Sequence, residues 1–190
     1  MLGVIMTKLK LFCVCLAGSI IALAALAGDT VSQPGAGKAA LAGSFQIRNQ
    51  KYGNLLRPEE ANSADGTRIV LYPAQPWKCM TWKLQGNGDA GFHLQNHFTG
   101  KTFAAEAGTD KAEAAVTQVP FSKKPEERPT WQLLKLTDGT YRITDTKSGK
   151  ALTAVKGEGG SGARIVTRAW REEADQKWEL IAIDPKQLTM

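Results

Sequence analysis

Apolar and polar residues alternate in short runs from Phe45 onward, and the same runs return three times. Phe45-Gln46-Ile47 sets two large apolar side chains on one face of an extended segment and a polar one on the other. Phe92-His93-Leu94 and Tyr141-Arg142-Ile143 repeat the arrangement. Alternation of period two over so few residues predicts a short half-buried β-strand. After each opening come polar residues and a glycine, Gly53, Gly100 or Gly149, and then an apolar residue, Leu56, Phe103 or Leu152. A glycine at a fixed place between two apolar runs predicts a tight turn with positive φ, so the chain folds back as a hairpin. An aliphatic residue stands 24 positions after each opening aromatic, at Ile69, Val116 and Ile165, and a tryptophan closes each copy at Trp82, Trp131 and Trp178.

The copies start 47 and 49 residues apart and occupy about 44–90, 91–138 and 139–183. Four short strands per copy predict roughly twelve in all, an all-β domain. One copy alone would leave its tryptophan in water, with on the order of 150–250 Å² to bury, so the copies must pack together. The first and last copies keep the full apolar set and offer no polar cap. Closure about a threefold axis is therefore expected rather than an open solenoid.

The start of the chain has a different character. Met6 to Lys10 is a short basic stretch, Leu11 to Leu26 is apolar apart from Gly18 and Ser19, and Ala25-Leu26-Ala27 presents small residues where a signal peptidase cuts. An apolar run of 16 residues is shorter than the roughly 20 that span a bilayer. Residues 1–27 are therefore expected to be a signal peptide, 28–43 a linker, 44–183 the folded domain and 184–190 a tail. The product is expected to be secreted or periplasmic, with no stable membrane insertion after cleavage. Cys13 and Cys15 leave with the signal, and Cys79 remains as a lone cysteine expected to act as a small buried hydrophobe.

With 190 residues, 43% of them hydrophobic and 22% charged, the composition fits one ordinary domain. The formal charge of +6 falls to +4 once Lys8 and Lys10 are removed. That excess is spread along the sequence, not gathered into the stripe a nucleic-acid footprint needs, so nucleic acid is excluded as the expected partner.

The pattern aromatic-x-aliphatic-x-Asn/Asp, then Ser/Thr-Gly-Lys, then Gln-x-Trp is whole in Tyr141 to Asp145, Ser148 to Lys150 and Gln176 to Trp178. It resembles the ricin B-chain type β-trefoil lectins over about 140 residues. The resemblance implies a β-trefoil of three four-strand units and a function of binding carbohydrate or glycoconjugate without catalysis. In sugar-binding copies of that family an acidic residue follows the Gly-Lys turn, an aromatic ring ends the third strand and an amide precedes the closing tryptophan. Here the acidic position holds Arg57, Ala104 and Thr153, the ring position Tyr72, Val119 and Arg168, and the amide position Met80, Pro129 and Gln176. No copy keeps the set. The second copy looks dead, the first keeps Tyr72, and the third keeps Gln176 with Trp170 two residues beyond the ring position.

If the third strand of the last copy continues, Arg164, Arg168 and Trp170 share a face, and arginine forks beside an aromatic ring suit anionic glycans. The candidate ligand-binding residues are thus Tyr72, Thr153, Arg164, Arg168, Trp170 and Gln176. Two readings stand at this point, a lectin for anionic or cell-surface glycans and a trefoil scaffold for a protein partner.

Enzyme motifs carry little weight. Gly157-Glu158-Gly159-Gly160-Ser161-Gly162 matches G-x-G-x-x-G, yet it sits in a loop between strands and opens no helix. His93 and His97 straddle a strand and its turn, so their spacing of four does not make a metal pair. Glu59, Glu60 and Asp65 lie in one loop without a partner set for glycoside hydrolysis. No cofactor, metal or enzymatic activity is expected.

Overall fold

The computed structural model describes residues 41–107, 112–155 and 160–190; the signal segment and most of the linker lie outside the described residues, as does the first half of the Gly-rich stretch at 157–162. The described chain forms twelve strands: β1 (Gly43–Asn49), β2 (Leu55–Pro58), β3 (Ile69–Tyr72), β4 (Thr81–Asn87), β5 (Gly91–Asn96), β6 (Thr102–Ala105), β7 (Glu113–Val119), β8 (Trp131–Lys135), β9 (Tyr141–Asp145), β10 (Ala151–Ala154), β11 (Ile165–Arg168) and β12 (Lys177–Ala182). Six of them close a ring of antiparallel pairs, β1 with β4, β4 with β5, β5 with β8, β8 with β9, β9 with β12 and β12 back to β1. The other six form three hairpins, β2–β3, β6–β7 and β10–β11, which cap one end of the ring. The hairpins are tied to each other where β11 pairs with β7 and through the bridges Arg68 to Thr117 and Val70 to Arg164. This is a β-trefoil.

The sequence pattern explains the local structure. Gly53, Gly100 and Gly149 have φ of 70°, 68° and 69°, and each donates its backbone N–H to the carbonyl of the residue four back, Asn49, Asn96 or Asp145. Those three side chains fold over the same turn. The Asn49 amide oxygen accepts from the N–H groups of Lys51 and Tyr52, that of Asn96 from Phe98 and Thr99, and the Asp145 carboxylate from Ser148. An Asn or Asp two residues past the aliphatic position is thus a turn-forming group, which favours this geometry through its short side chain.

Trp82, Trp131 and Trp178 are fully buried in the central cluster. Their indole N–H groups make the same bond in each copy, to the carbonyls of Leu56 (3.2 Å), Phe103 (3.4 Å) and Leu152 (3.0 Å). A buried Trp needs such a partner. Phe103 additionally meets Trp82 edge-on at 4.9 Å and Trp131 at 5.0 Å, so its ring couples the first two copies.

Three expectations need adjustment. The alternation expected along the third strand of each copy holds in β7 but fails in β3 and β11, where Ile69, Val70 and Leu71, and Ile165, Val166 and Thr167, are all buried. In the third copy the β10–β11 hairpin lies against the 3-10 turn Ala174–Gln176, whose Gln176 amide donates to Thr153, and no solvated face remains. At the chain start, Gly43 is already in β1 and Leu41 packs against the core, so the structured part begins slightly before the expected 44. The tail is held in place. Thr189 forms a parallel bridge to Trp77, donates its N–H to the Pro76 carbonyl (2.8 Å) and accepts from Lys78 N–H (3.0 Å).

Candidate functional site

In the first copy β2 delivers Arg57 and β3 ends on Tyr72. The guanidinium carbon of Arg57 lies 3.6 Å from the Tyr72 ring centroid, and Trp77 follows at 6.0 Å with the rings inclined by 33°. Beneath this stack Leu55, Cys79 and Met80 form a small apolar cluster separate from the main core. Burial pushes the Cys79 thiol up, and the Arg57 guanidinium beside it works against that shift. The thiol therefore stays a neutral apolar filler, as expected. Beside the stack, Arg57, Glu59, Glu60 and Tyr72 face Ser161 and Gly162 of the third copy across a cleft of about 360 Å³. Glu59 holds Arg68 with both carboxylate oxygens (3.1 and 3.2 Å), whereas the Glu60 side chain has no partner among the described residues. Glu60 and Ala61 sit at φ of 52° and 55°, a left-handed stretch that costs a non-glycine residue free energy and shapes this rim.

The third copy departs from expectation. β11 stops at Arg168, so Arg164, Arg168 and Trp170 do not share a strand face. Arg168 is spent on Glu113 of β7, with Nε at 2.7 Å from the carboxylate, and Arg164 lies at the far end of the strand, bridged to Val70. Thr153 and Gln176 are fully buried and bonded to each other, the Gln176 amide donating to the Thr153 hydroxyl at 3.0 Å. Gln176 also donates to the Ala169 carbonyl and accepts from the Arg171 N–H, and Thr153 donates to the Ala151 carbonyl. Both therefore brace the loop that carries Trp170 instead of facing a ligand. What Trp170 does meet is Arg142 of β9, whose guanidinium carbon is 5.4 Å from the indole centroid.

In the second copy Phe121 follows β7 and carries Arg128 at 4.2 Å above its ring. Phe121 stands at the same distance from its opening aromatic as Trp170 does, two residues past the position that holds Tyr72 in the first copy. Each copy thus has an arginine over an aromatic ring at or just after the third strand, the arginine coming from β2 in the first copy, from the loop before β8 in the second and from β9 in the third. Of these six side chains the sequence pointed to Tyr72 and Trp170. Arg57 stands in the sequence pattern only as the occupant of the acidic position and Arg142 only within an opening strand, and neither they nor Phe121, Arg128 and Trp77 are ligand candidates on sequence grounds, although the shared spacing of Phe121 and Trp170 is readable. A second cleft, of about 280 Å³, opens between the second and third copies. His93 and His97 serve local bonding, His93 Nδ1 at 3.1 Å from the Pro129 carbonyl and His97 Nε2 at 2.8 Å from the Ser44 hydroxyl. Burial, with Lys83 nearby, holds the His97 pKa below its usual value.

The model of the ricin-type beta-trefoil lectin domain-like family matches residues 35–119 and 129–189, most of the chain. The chain belongs to this family. Among solved structures, this lectin-like trefoil is similar to the designed 3-fold symmetric protein ThreeFoil, at 26% identity and a TM-score of 0.68 over 74% of this chain and 99% of that one. It is similar in fold to the Rhizoctonia solani agglutinin, at 19% identity and a TM-score of 0.64 over 75% of this chain and 96% of that one. The Macrolepiota procera ricin B-like lectin, solved in complex with lactose, shares the fold at 18% identity and a TM-score of 0.61 over 75% and 96%. A search of the curated proteins finds no match. Within the family frame, the expected acidic position is not acidic in any copy, and in the first copy it holds Arg57, the arginine that lies on Tyr72.

Proposed function

We propose that the protein is a secreted, non-catalytic carbohydrate-binding protein that takes acidic glycans at its arginine-on-aromatic pairs. The observation that carries this reading is the recurrence of the pair in every copy, Arg57 with Tyr72, Arg128 with Phe121 and Arg142 with Trp170. A ring offers an apolar surface to the C–H face of a pyranose, and a guanidinium lying on it keeps its N–H edge turned outward as a fork for carboxylate or sulfate. The Nε–H groups of Arg57 and Arg142 are buried without a hydrogen-bond partner, so the outward edge is that of the terminal amino groups. Family membership and the lectin folds above support the sugar-binding part of the reading. The basic and apolar stretch at 1–27 supports export, and sequencing the exported product should find its first residue at Gly28.

The test is binding of the exported chain to an array of neutral and acidic glycans, with Tyr72→Ala and Trp170→Ala beside it. Binding is expected for acidic glycans, weakening with salt, and each variant is expected to lose about tenfold, since one stacked ring is worth roughly 1–1.5 kcal/mol. Folded protein that binds no glycan would overturn the proposal and turn attention to a protein partner captured by pull-down.

A further inference from the structure

Each copy approaches its closing tryptophan through a 3-10 turn, at Lys78–Met80, Pro125–Glu127 and Ala174–Gln176. The residue leading into that turn is Trp77 in the first copy, Lys124 in the second and Glu173 in the third. Trp77 is therefore no part of the repeated core, and a large ring placed where the other copies carry a solvated charge calls for its own explanation.

Trp77 and Tyr72 both pack on the cluster of Leu55, Cys79 and Met80, with centroids 6.0 Å apart and planes inclined by 33°. Two rings resting on one support at a shallow angle make a shared aromatic surface, broader than one ring offers. Trp77 is half-buried, and its indole N–H meets no partner among the described residues, so a donor stands at the edge of that surface. The loop that carries the ring, Pro73 to Pro76, is exposed and has no regular structure. It is held from outside. Thr189 of the tail forms a parallel bridge to Trp77, donates its N–H to the Pro76 carbonyl at 2.8 Å and accepts from the Lys78 N–H at 3.0 Å. Behind it the Asp184 carboxylate accepts from the Lys186 N–H and opens the 3-10 turn Pro185–Gln187, which leads the tail to the loop. On the other side Gln46 of β1 donates to the Gln75 carbonyl at 2.7 Å. Thr189 and Met190 are themselves exposed, so core packing does not account for the tail's course; what its bonds fix is the backbone around Trp77.

We propose that the tail is a strap that fixes Trp77 beside Tyr72, and that the doubled ring surface makes the first copy read two linked units of an acidic sugar chain where a single ring reads one. The inference rests on the carbohydrate reading and adds to it a preference for chain length and the segment that sets it. A ring ordered before binding spares the complex the cost of ordering it.

The test is NMR of the full exported chain with labelled tyrosine and tryptophan rings, titrated with galacturonic acid and with its linear dimer and tetramer, and with heparin disaccharide and tetrasaccharide as the sulfated counterpart. Tyr72 reports on the first copy and Trp170 on the third. At Tyr72 the galacturonate dimer is expected to bind about tenfold tighter than the monomer, the worth of one further stacked ring, with no such preference at Trp170. Trp77→Leu, which keeps an apolar cover over Cys79 and Met80, should remove the preference. Thr189→Pro, which removes the N–H bonded to Pro76, should weaken dimer binding at Tyr72 about threefold, shift the Trp77 indole signal and speed hydrogen exchange at Lys78. Thr189→Val keeps that N–H and should retain the preference. The Trp170 signal reports that each variant is folded.

Equal binding of monomer and dimer at Tyr72, or a preference that survives Trp77→Leu, would overturn the doubled surface. Unaltered dimer binding in Thr189→Pro, or loss of the preference in Thr189→Val, would overturn the strap. In each of these cases binding at Tyr72 and Trp170 leaves the carbohydrate reading standing, whereas silence of both rings toward every one of these sugars overturns it and the inference together.

Discussion

At one junction of this trefoil Gln118 reaches across and bonds two carbonyls of the neighbouring copy; at the next, the corresponding Thr167 is too short to reach anything. Directly behind both junctions the structure is the same to the level of individual bonds, with Trp82 and Trp131 each donating to the carbonyl of the second residue of the returning strand, Leu56 or Phe103. The ring and its tryptophans answer to a constraint shared by all copies, because each must bury the same apolar face. The junction side chains answer to no such shared constraint. Their divergence is what allows one copy to be filled and another open, so function in a repeated fold is best sought where the repeats differ.

The largest test of the common part is Phe103→Ala. Its ring touches both tryptophans, and its removal is expected to cost about 3–5 kcal/mol in urea unfolding. A loss below about 1 kcal/mol would mean that the two copies are not joined through it. Next comes Gln118→Thr, which makes the filled junction imitate the open one. Losing the bonds to Asn62 and Ala64 is expected to cost about 2 kcal/mol and to speed hydrogen exchange at Gly66, whose N–H is held by the Gln118 carbonyl. An unchanged unfolding midpoint would contradict the role given to that amide.

Asp175→Asn probes the third copy against the first. Asp175 is fully buried with neither carboxylate oxygen bonded, in the position where the first copy has the apolar Cys79. Exchanging the carboxyl for an amide, which can donate as well as accept, is expected to stabilise by about 1 kcal/mol, and destabilisation would reveal a partner for the carboxyl. The smallest effect is expected away from both junctions, at Asp138. Its hydrogen bonds from Lys177 and Thr140 hold its carboxyl down to about 2. A depressed folded pKa gives stability that is present above the ordinary value of 3.8 and lost as pH falls toward about 2. Asp138→Asn should flatten the pH dependence of stability in that window only, and an unaltered slope would show that the pair contributes nothing.

The fold was legible because its signals are local and repeated: an alternating run, a glycine turn with its Asn or Asp, and a closing tryptophan at fixed spacing. The site was legible in fragments. Tyr72 and Trp170 show in the sequence as rings, but Gln176 and Thr153, candidates for a ligand, bond each other, and an amide and a hydroxyl look alike in a sequence whether they meet a ligand or one another. Arg168 was read as a ligand fork, and its partner Glu113 comes from a strand of another copy, 55 residues away, which no local pattern connects. Arg57 over Tyr72 was hidden by the expectation of an acid at that position.

The pairing of the first strand with the last has a mechanical consequence. Phe45 lies opposite Ala182 and Asn49 opposite Trp178, so the two chain ends leave the ring side by side at the same end of one antiparallel ladder. Tension applied through those ends would open the ladder rung by rung from Phe45 instead of shearing all its bonds at once. The tail bonds from Thr189 to Pro76 and Lys78 stand in line ahead of it on the C-terminal side. Tethered by both ends, the domain would yield at low force and release its strands in sequence; a bound surface that pulled on it through the hairpin cap would meet the whole sheet.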